Sequence, residues 1–382
     1  MGFIIFLLVG LSLYSGLHLY GFLKVKRALT FGPAATTTLI VFMAIMIFAP
    51  ILVRILERMG SESMARLLAY IGYSWMGLLF LFFSSALLLD FYRLFLSIAS
   101  LILPTDLSFL TLSPRHSFLI SFFLSILITV YGSFEAVSIR QEYITFQTPK
   151  IPAEVGRIRI AQISDVHLGL IMGKKRLERI IRKIQTANPD ILVSTGDLVD
   201  GQADNLSGLA EMLQKTTTKY GKFAITGNHE FYAGLKHSID FTEKAGFTIL
   251  RGNGLNVSGL LNIAGVDDIA GKSYAYGLMK QVSEKAMLSN LPRDQFTLFL
   301  KHRPVTDHEA LGLFDLQLSG HTHKGQIFPF SLITKLFFPN QAGLLALEKN
   351  THLYVSRGTG TWGPPIRFLA PPEVTVIDLI HQ

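Results

Sequence analysis

Four apolar runs crowd the first 135 residues, and nothing else in the 382-residue chain constrains its fold as strongly. They are Gly2–Phe22, Ala35–Val53, Leu67–Leu89 and Phe118–Tyr131, and the first carries no charged residue. An apolar helix of about 20 residues crosses a hydrocarbon core of about 30 Å. Residues 1–135 are therefore expected to form a transmembrane region of about four helices. Past Leu89 the third run stays apolar to Leu103, broken only by Asp90 and Arg93. That leaves four or five crossings open, and the spacing of three fits a local ion pair at a helix end. Gly2–Phe22 lacks the basic start and small-residue cleavage site of a signal peptide. Polar residues elsewhere in the runs are too sparse for a transport path.

The remaining sequence reads as an ordinary α/β domain. Apolar residues make up 49% of the chain and charged residues 16%, against about 25% charged in a typical globular protein. The net charge of +8 is spread thinly: Lys and Arg outnumber Asp and Glu by 9 to 6 through Tyr143 and by 26 to 21 afterwards. A mildly basic surface suits an anionic substrate or lipid headgroups but lacks the clustered cations of a nucleic-acid footprint. There are no cysteines, so disulfides and thiolate metal sites are excluded. Any metal must be held by oxygen and imidazole.

A polar connector with Pro149 and Pro152 is expected over 136–156, and a catalytic domain over 157–382. Leu177, Ile180, Ile181 and Ile184 give Lys174–Ala187 one apolar helical face. Strands are expected at Arg157–Ser164, Ile191–Thr195, Phe223–Thr226, Phe247–Leu250, Phe296–Leu300, Leu316–Ser319, His352–Ser356 and Val374–Leu379. Where several of these stop, chemistry-bearing residues begin: Asp165-Val166-His167, Gly196-Asp197-Leu198-Val199-Asp200, Gly227-Asn228-His229-Glu230, Lys301-His302 and Gly320-His321-Thr322-His323. Each segment alone is weak, since Asp-x-His is more often a solvated turn. Together, at successive strand ends, they point short side chains into one crevice. Oxygen and imidazole donors suit ions of the Mn, Fe or Zn class. Seven such ligands exceed the four of a structural zinc site and fit two ions sharing a bridge. Asp197, in the middle of the set, is the natural bridging carboxylate.

These segments resemble the signature of the calcineurin-like metallophosphoesterases, over roughly Arg157 to Asp378. With apolar helices ahead of them, and with Ser319–Ile327 and Ser356–Gly360 as they stand, they resemble the membrane-associated bacterial branch. That branch includes YkuE/YaeI-like phosphodiesterases and UDP-2,3-diacylglucosamine pyrophosphatases. Lys324 departs from it, where glycine is expected, and adds a cation beside the site. The resemblance implies a four-layer α/β/β/α sandwich and two divalent metal ions. It assigns Asp165, His167, Asp197 and His323 to one ion and Asp197, Asn228, His302 and His321 to the other. It further implies that a metal-bridging hydroxide attacks phosphorus while His229 serves as general acid. Asp200 and Glu230 are read as orienting the ligands and His229. Arg357 and Arg367, flanking a Gly/Pro-rich run, together with Lys324, are candidates to touch an anionic substrate. The alternative for the two arginines is a structural loop tied down by Pro364 and Pro365.

Phe328-Pro329-Phe330 through Leu336-Phe337-Phe338-Pro339 follows the His-x-His segment closely. It is either a buried core segment or an aromatic loop that meets the membrane interface or shelters acyl chains. The expected function is hydrolysis of a phosphodiester or pyrophosphate on a lipid-linked substrate such as UDP-2,3-diacylglucosamine. A broad-specificity phosphodiesterase and a catalytically silent membrane scaffold or sensor are the alternatives. No nucleic-acid partner or obligate protein partner is expected. The cations flanking the runs do not decide topology. An even number of crossings from an internal N-terminus puts the domain on the cytoplasmic face, in a bacterial inner membrane.

Overall fold

The computed structural model describes residues 2–103, 105–200, 206, 208–274 and 282–382. The chain divides into two compact units, Met1–Phe134 with Gly363–Ile366, and Glu135–Trp362 with Arg367–Gln382.

In the first unit, each apolar run lies within a helix: α1 (Gly2–Ala28), α2 (Pro33–Arg58), α3 (Glu62–Ile102) and α4 (Pro114–Glu135). Among the described residues, three stretches are long and apolar enough to cross a membrane: Pro33–Arg58, Glu62–Ile102 and Ser108–Glu135. Their apolar side chains point outward, with Leu67, Leu88 and Phe95 all exposed. Small residues mediate the helix contact: a Cβ added to Gly72 of α3 would sit 2.8 Å from the Ala49 methyl of α2, the close approach that apolar surroundings favour. Phe91–Leu103 forms no separate fifth helix, because α3 runs unbroken for 41 residues. Asp90 also differs from expectation. Its carboxylate takes the Tyr20 hydroxyl at 2.7 Å and the Lys24 ammonium, both on α1, so it joins two helices rather than pairing locally with Arg93.

The second unit begins with β1 (Arg140–Thr148), β2 (Arg157–Ile163), α5 (Lys174–Ala187), β3 (Ile191–Ser194), α6 (Leu209–Gln214) and β4 (Lys222–Ala224). It continues with α7 (Asn228–Ala233), α8 (Leu235–Lys244), β5 (Thr248–Ile249), β6 (Asn253–Val257), β7 (Leu261–Gly265), α9 (Gly271–Tyr274) and α10 (Glu284–Ser289). It closes with β8 (Phe296–Leu300), β9 (Leu316–Ser319), α11 (Phe330–Phe337), β10 (Gly343–Ala346), β11 (His352–Val355) and β12 (Glu373–His381). The segment expected as a connector thus holds a nine-residue strand, β1, at the edge of a sheet.

Two six-stranded sheets result, in the orders β1-β12-β2-β3-β4-β5 and β10-β11-β9-β8-β7-β6. Strand alternation assembles them into layers. Ile158 and Ile160 of β2, Ile191 and Val193 of β3, Leu298 and Leu300 of β8, and Leu318 of β9 share one core between the sheets. Ala161, Ile163 and Leu192, on the opposite face, pack against Leu177, Ile180 and Ile184 of α5 and Leu213 of α6. On the far side of the second sheet, Phe299 meets Met287 and Leu288 of α10. The order is helix, sheet, sheet, helix. β2, β3 and β4 run parallel, as do β7, β8 and β9, so each trio ends along one edge of its sheet.

Candidate metal centre

Every expected ligand sits just beyond the C-terminal end of one of these parallel strands. Asp165 and His167 follow β2, Asp197 follows β3, Asn228 opens α7 after β4, His302 follows β8, and His321 and His323 follow β9. Asp165, His167, Asp197, His321 and His323 all have φ between 47° and 71°. That left-handed conformation is uncommon outside glycine and collects at sites where surrounding structure enforces it. Two glycines allow the crowding. A Cβ on Gly227 would fall 2.1 Å from Asp197 Oδ1, and one on Gly320 would fall 2.2 Å from Asp165 Oδ2.

The side chains converge. His167 Nε2 lies 3.1 Å from His323 Nε2 and 3.9 Å from Asp197 Oδ2. His323 Nε2 lies 3.4 Å from Asp165 Oδ1. On the other side of Asp197, His302 Nε2 is 3.3 Å from Oδ2, 3.1 Å from Asn228 Oδ1 and 3.2 Å from His321 Nδ1. Among the described residues, three groups of donor atoms lie within 4.8 Å of one another: Asp165, His167 and His323; His167, Asp197 and His229; and Asp197, His302 and His321. Asp197 belongs to two of them and lies in the middle.

Such a cluster suits cations. His302 gives Nδ1–H to the Thr195 carbonyl at 2.8 Å, which turns Nε2 toward the other donors. Bare imidazole nitrogens facing one another at about 3 Å repel unless protons or metal ions lie between them. Asp165 and Asp197 are buried close together. Burial pushes Asp165 up against the pull of His302, while His302 and His229 outweigh burial and hold Asp197 well below its ordinary value. The same carboxylates raise His302 to about 10 against its burial. His321 lies opposite, lowered to about 2 by burial and by the neighbouring charges of His302 and Arg303. The donor set of carboxylate, carboxamide and imidazole, without sulfur, fits divalent ions of intermediate softness.

Residues around the cluster hold it in place. Glu230 is buried and takes four backbone amides: Gly227 at 2.6 Å, Asp197 at 2.9 Å, Leu198 at 2.7 Å and Val199 at 3.3 Å. It therefore fixes the β3 and β4 loops to one another. Asp200 Oδ1 sits 2.7 Å from His229 Nδ1 and 3.7 Å from His167 Nδ1. Burial would lower the His229 pKa, but Asp197 and Asp200 raise it, to about 9. The rings of Tyr232 and Trp362 meet His229 edge-on at 5.4 Å and 6.0 Å.

The three cations considered for substrate contact behave differently. Arg367 is fully buried and gives four N–H groups to backbone carbonyls, Gly360 O twice, Arg357 O and Ala370 O, while Nη2 lies 3.1 Å from His323 Nδ1. It packs against His323, with its donors turned to the backbone rather than to an incoming phosphate. Arg357 pairs with Glu373 at 2.6 Å and with Glu142. Lys324 is half-buried, in a left-handed turn beside His323. One contributor escaped the sequence. Gln162, on β2, donates to Thr195 Oγ1 at 2.9 Å and to the Ser319 carbonyl at 3.1 Å, pinning the two sheets together at the site. Nothing local distinguishes this glutamine from any other; only the pairing of sheets reveals it.

Two packed sheets that deliver carboxylate, carboxamide and imidazole donors to a common edge define a metal-binding α/β protein. Residues 158–325 match the model for calcineurin-like phosphoesterases. An uncharacterised metallophosphoesterase of Aquifex aeolicus is 41% identical over 258 residues, which span 67% of this chain and 98% of that protein. The chain belongs to the calcineurin-like metallophosphoesterase family, hydrolases of phosphoric esters that use divalent metal ions. The uncharacterised metallophosphoesterase YkuE of Bacillus subtilis is 32% identical over 252 residues, covering 62% of this chain and 83% of that one. A protein of Danio rerio named as a transmembrane protein with a metallophosphoesterase domain is 32% identical over 240 residues, or 60% of this chain and 55% of that one.

Proposed function

We propose that this protein is a membrane-anchored hydrolase of a lipid-linked phosphodiester or pyrophosphate that works with two divalent ions. Asp165, His167, Asp197 and His323 would hold one, and Asp197, Asn228, His302 and His321 the other. The observation that carries the reading is the position of Asp197 between two donor groups, each able to hold a cation. When bound, such a pair of ions lowers the pKa of water and neutralises charge on the phosphoryl oxygens. The chain's own residues supply the rest. Asp197 draws the two donor groups together, while Glu230 and Arg367 keep the loops and His323 from shifting. Asp200 holds His229 through Nδ1, leaving Nε2 to hand a proton to the departing oxygen. Lys324 stands beside His323 as a cation for an anionic substrate.

Support for a lipid-linked substrate comes from the chain itself: only four residues, 136–139, separate α4 from the first strand of the catalytic unit. UDP-2,3-diacylglucosamine is the sharpest candidate and rests on the resemblance described above. A cytoplasmic placement of the unit in a bacterial inner membrane follows from the same substrate. The test is cleavage of bis-p-nitrophenyl phosphate with Mn²⁺, followed by a panel of lipid-linked diesters and pyrophosphates. Asn228→Ala is expected to abolish the metal-dependent activity that wild type shows. Wild-type protein inert with Mn²⁺, Fe²⁺ and Zn²⁺ across the whole panel would instead identify a silent scaffold.

A further inference from the structure

We propose that α11 is an interfacial membrane helix, seated in the lipid headgroup layer and fixing the candidate centre at that depth. The proposal deepens the lipid-linked reading above and rests on it for what the helix would bring to the site; the insertion itself rests on α11.

The helix is inside out. A helix facing water buries its apolar stripe and exposes its polar one, yet α11 has no buried residue at all. Its half-buried positions are Ser331 and Thr334, three apart on one face. Leu332, Ile333, Leu336 and Phe337 point outward, the last two 81% and 74% exposed, and Phe328 and Phe330 extend the patch. An exposed apolar patch rimmed by polar groups marks a surface that meets something other than water.

The helix is also joined to the centre at both ends. At its start, a Cβ on Gly325 would lie 2.4 Å from Ser331 Cα, so the helix rests on the turn that carries His323. The Gln341 side-chain amide donates to the Ser331 carbonyl at 2.6 Å, and the Gln341 backbone carbonyl takes the Thr322 hydroxyl at 2.7 Å. Just past the helix end, the Phe338 ring lies edge-on to His321 at 5.2 Å. Whatever covers the outer face is thus held beside two expected ligands.

The occupant that fits is a bilayer. The chain brings one with it, because its membrane-capable helices end four residues before β1, a tether of about 15 Å at full extension. Large apolar side chains with an exposed cation, here Lys335, compose the helices that lie in a membrane surface rather than cross it.

The test uses the full chain, one copy per nanodisc of phosphatidylcholine and phosphatidylglycerol. The natural sequence has no cysteine, so Leu336→Cys, Ile333→Cys and, as control, Lys349→Cys each carry a single environment-sensitive fluorophore. Lipids spin-labelled near the headgroup should quench the probes at 336 and 333 by about half, as expected for a helix buried 5–10 Å deep, and leave the control bright. Probes at 336 and 333 as bright as the control overturn the proposal. So does a probe shielded from aqueous iodide but untouched by the lipid quencher, which would mean that protein covers the face. Hydrolysis of a lipid-linked pyrophosphate in the same discs is measured separately. Quenching without hydrolysis strikes the substrate reading and upholds the insertion, and hydrolysis without quenching does the reverse.

Discussion

The two units solve opposite burial problems. In the helical unit, large apolar side chains such as Leu13, Leu67, Leu88 and Phe95 face outward, while Glu57 and Asp90 find partners on Arg54 and Lys24. In the catalytic unit, apolar residues fill three layers, two between helix and sheet and one between the sheets, and a cluster of buried polar residues gathers at one edge. Asp165, Asp197, His302 and Arg367 are all at most 2% exposed. Each arrangement identifies its solvent. Outward leucines suit lipid, whereas buried carboxylates and imidazoles suit one another and a cation. Helix α11 belongs to the second unit by sequence and to the first by its polarity, and that contradiction singles it out.

Truncating one leucine from each kind of surface separates the two. Leu298→Ala, in the core between the sheets, is expected to destabilise the catalytic unit by about 2–5 kcal/mol. Leu336→Ala, on the outer face of α11, should change it by about 0.5 kcal/mol or less. Thermal unfolding in detergent measures both, and equal effects would remove the distinction drawn for α11.

A smaller effect is expected at Arg367. Lysine cannot make all of the guanidinium's contacts from one position, so Arg367→Lys should leave His323 loosely held. Metal retention should weaken by about 10–100-fold, as for other residues that orient ligands, while activity at saturating metal stays close to wild type. Metal titration followed by calorimetry reads this directly. Unchanged affinity would make the arginine a packing residue only.

The smallest effect concerns a pair remote from the site. Arg159 grips Asp378 through Nε and Nη2, each at 2.8 Å. That hydrogen bonding outweighs partial burial and lowers the Asp378 pKa below its ordinary value of 3.8. A depressed carboxyl stabilises the fold at all pH values above 3.8 and loses that contribution as pH falls through the lowered value. Being partly exposed, the pair is worth about 1 kcal/mol or less. Asp378→Asn should therefore cost more stability at pH 7 than at pH 2, as chemical denaturation at the two pH values will report.

Much of the centre was legible because its residues are punctual: short Asp, Asn and His segments appear where apolar strands stop. β8 and β9 occupy the expected residues, as does α5 with its apolar face. β1 was not legible, since its alternation is half polar and its partner β12 lies more than two hundred residues away. β6 and β7 hid because Asn and Gly replace the β-branched residues that mark strands. The Arg357 and Arg367 side chains could be placed near the site by sequence but not aimed, because direction depends on which carbonyls and carboxylates the fold brings to them. The aromatic segment at Phe328–Pro339 left two readings open, core or interface, and only its outward-facing side chains separate them.

Asp197 is proposed to join two cation sites. Metal content of the full chain, purified in detergent and measured by mass spectrometry against protein concentration, tests it most directly. Wild type is expected to hold two equivalents of divalent metal, and a folded Asp197→Ala variant that has also lost hydrolysis fewer than one. Wild-type protein that holds no metal after loading with Mn²⁺, Fe²⁺ or Zn²⁺, or an Asp197→Ala variant that keeps both equivalents, would contradict it.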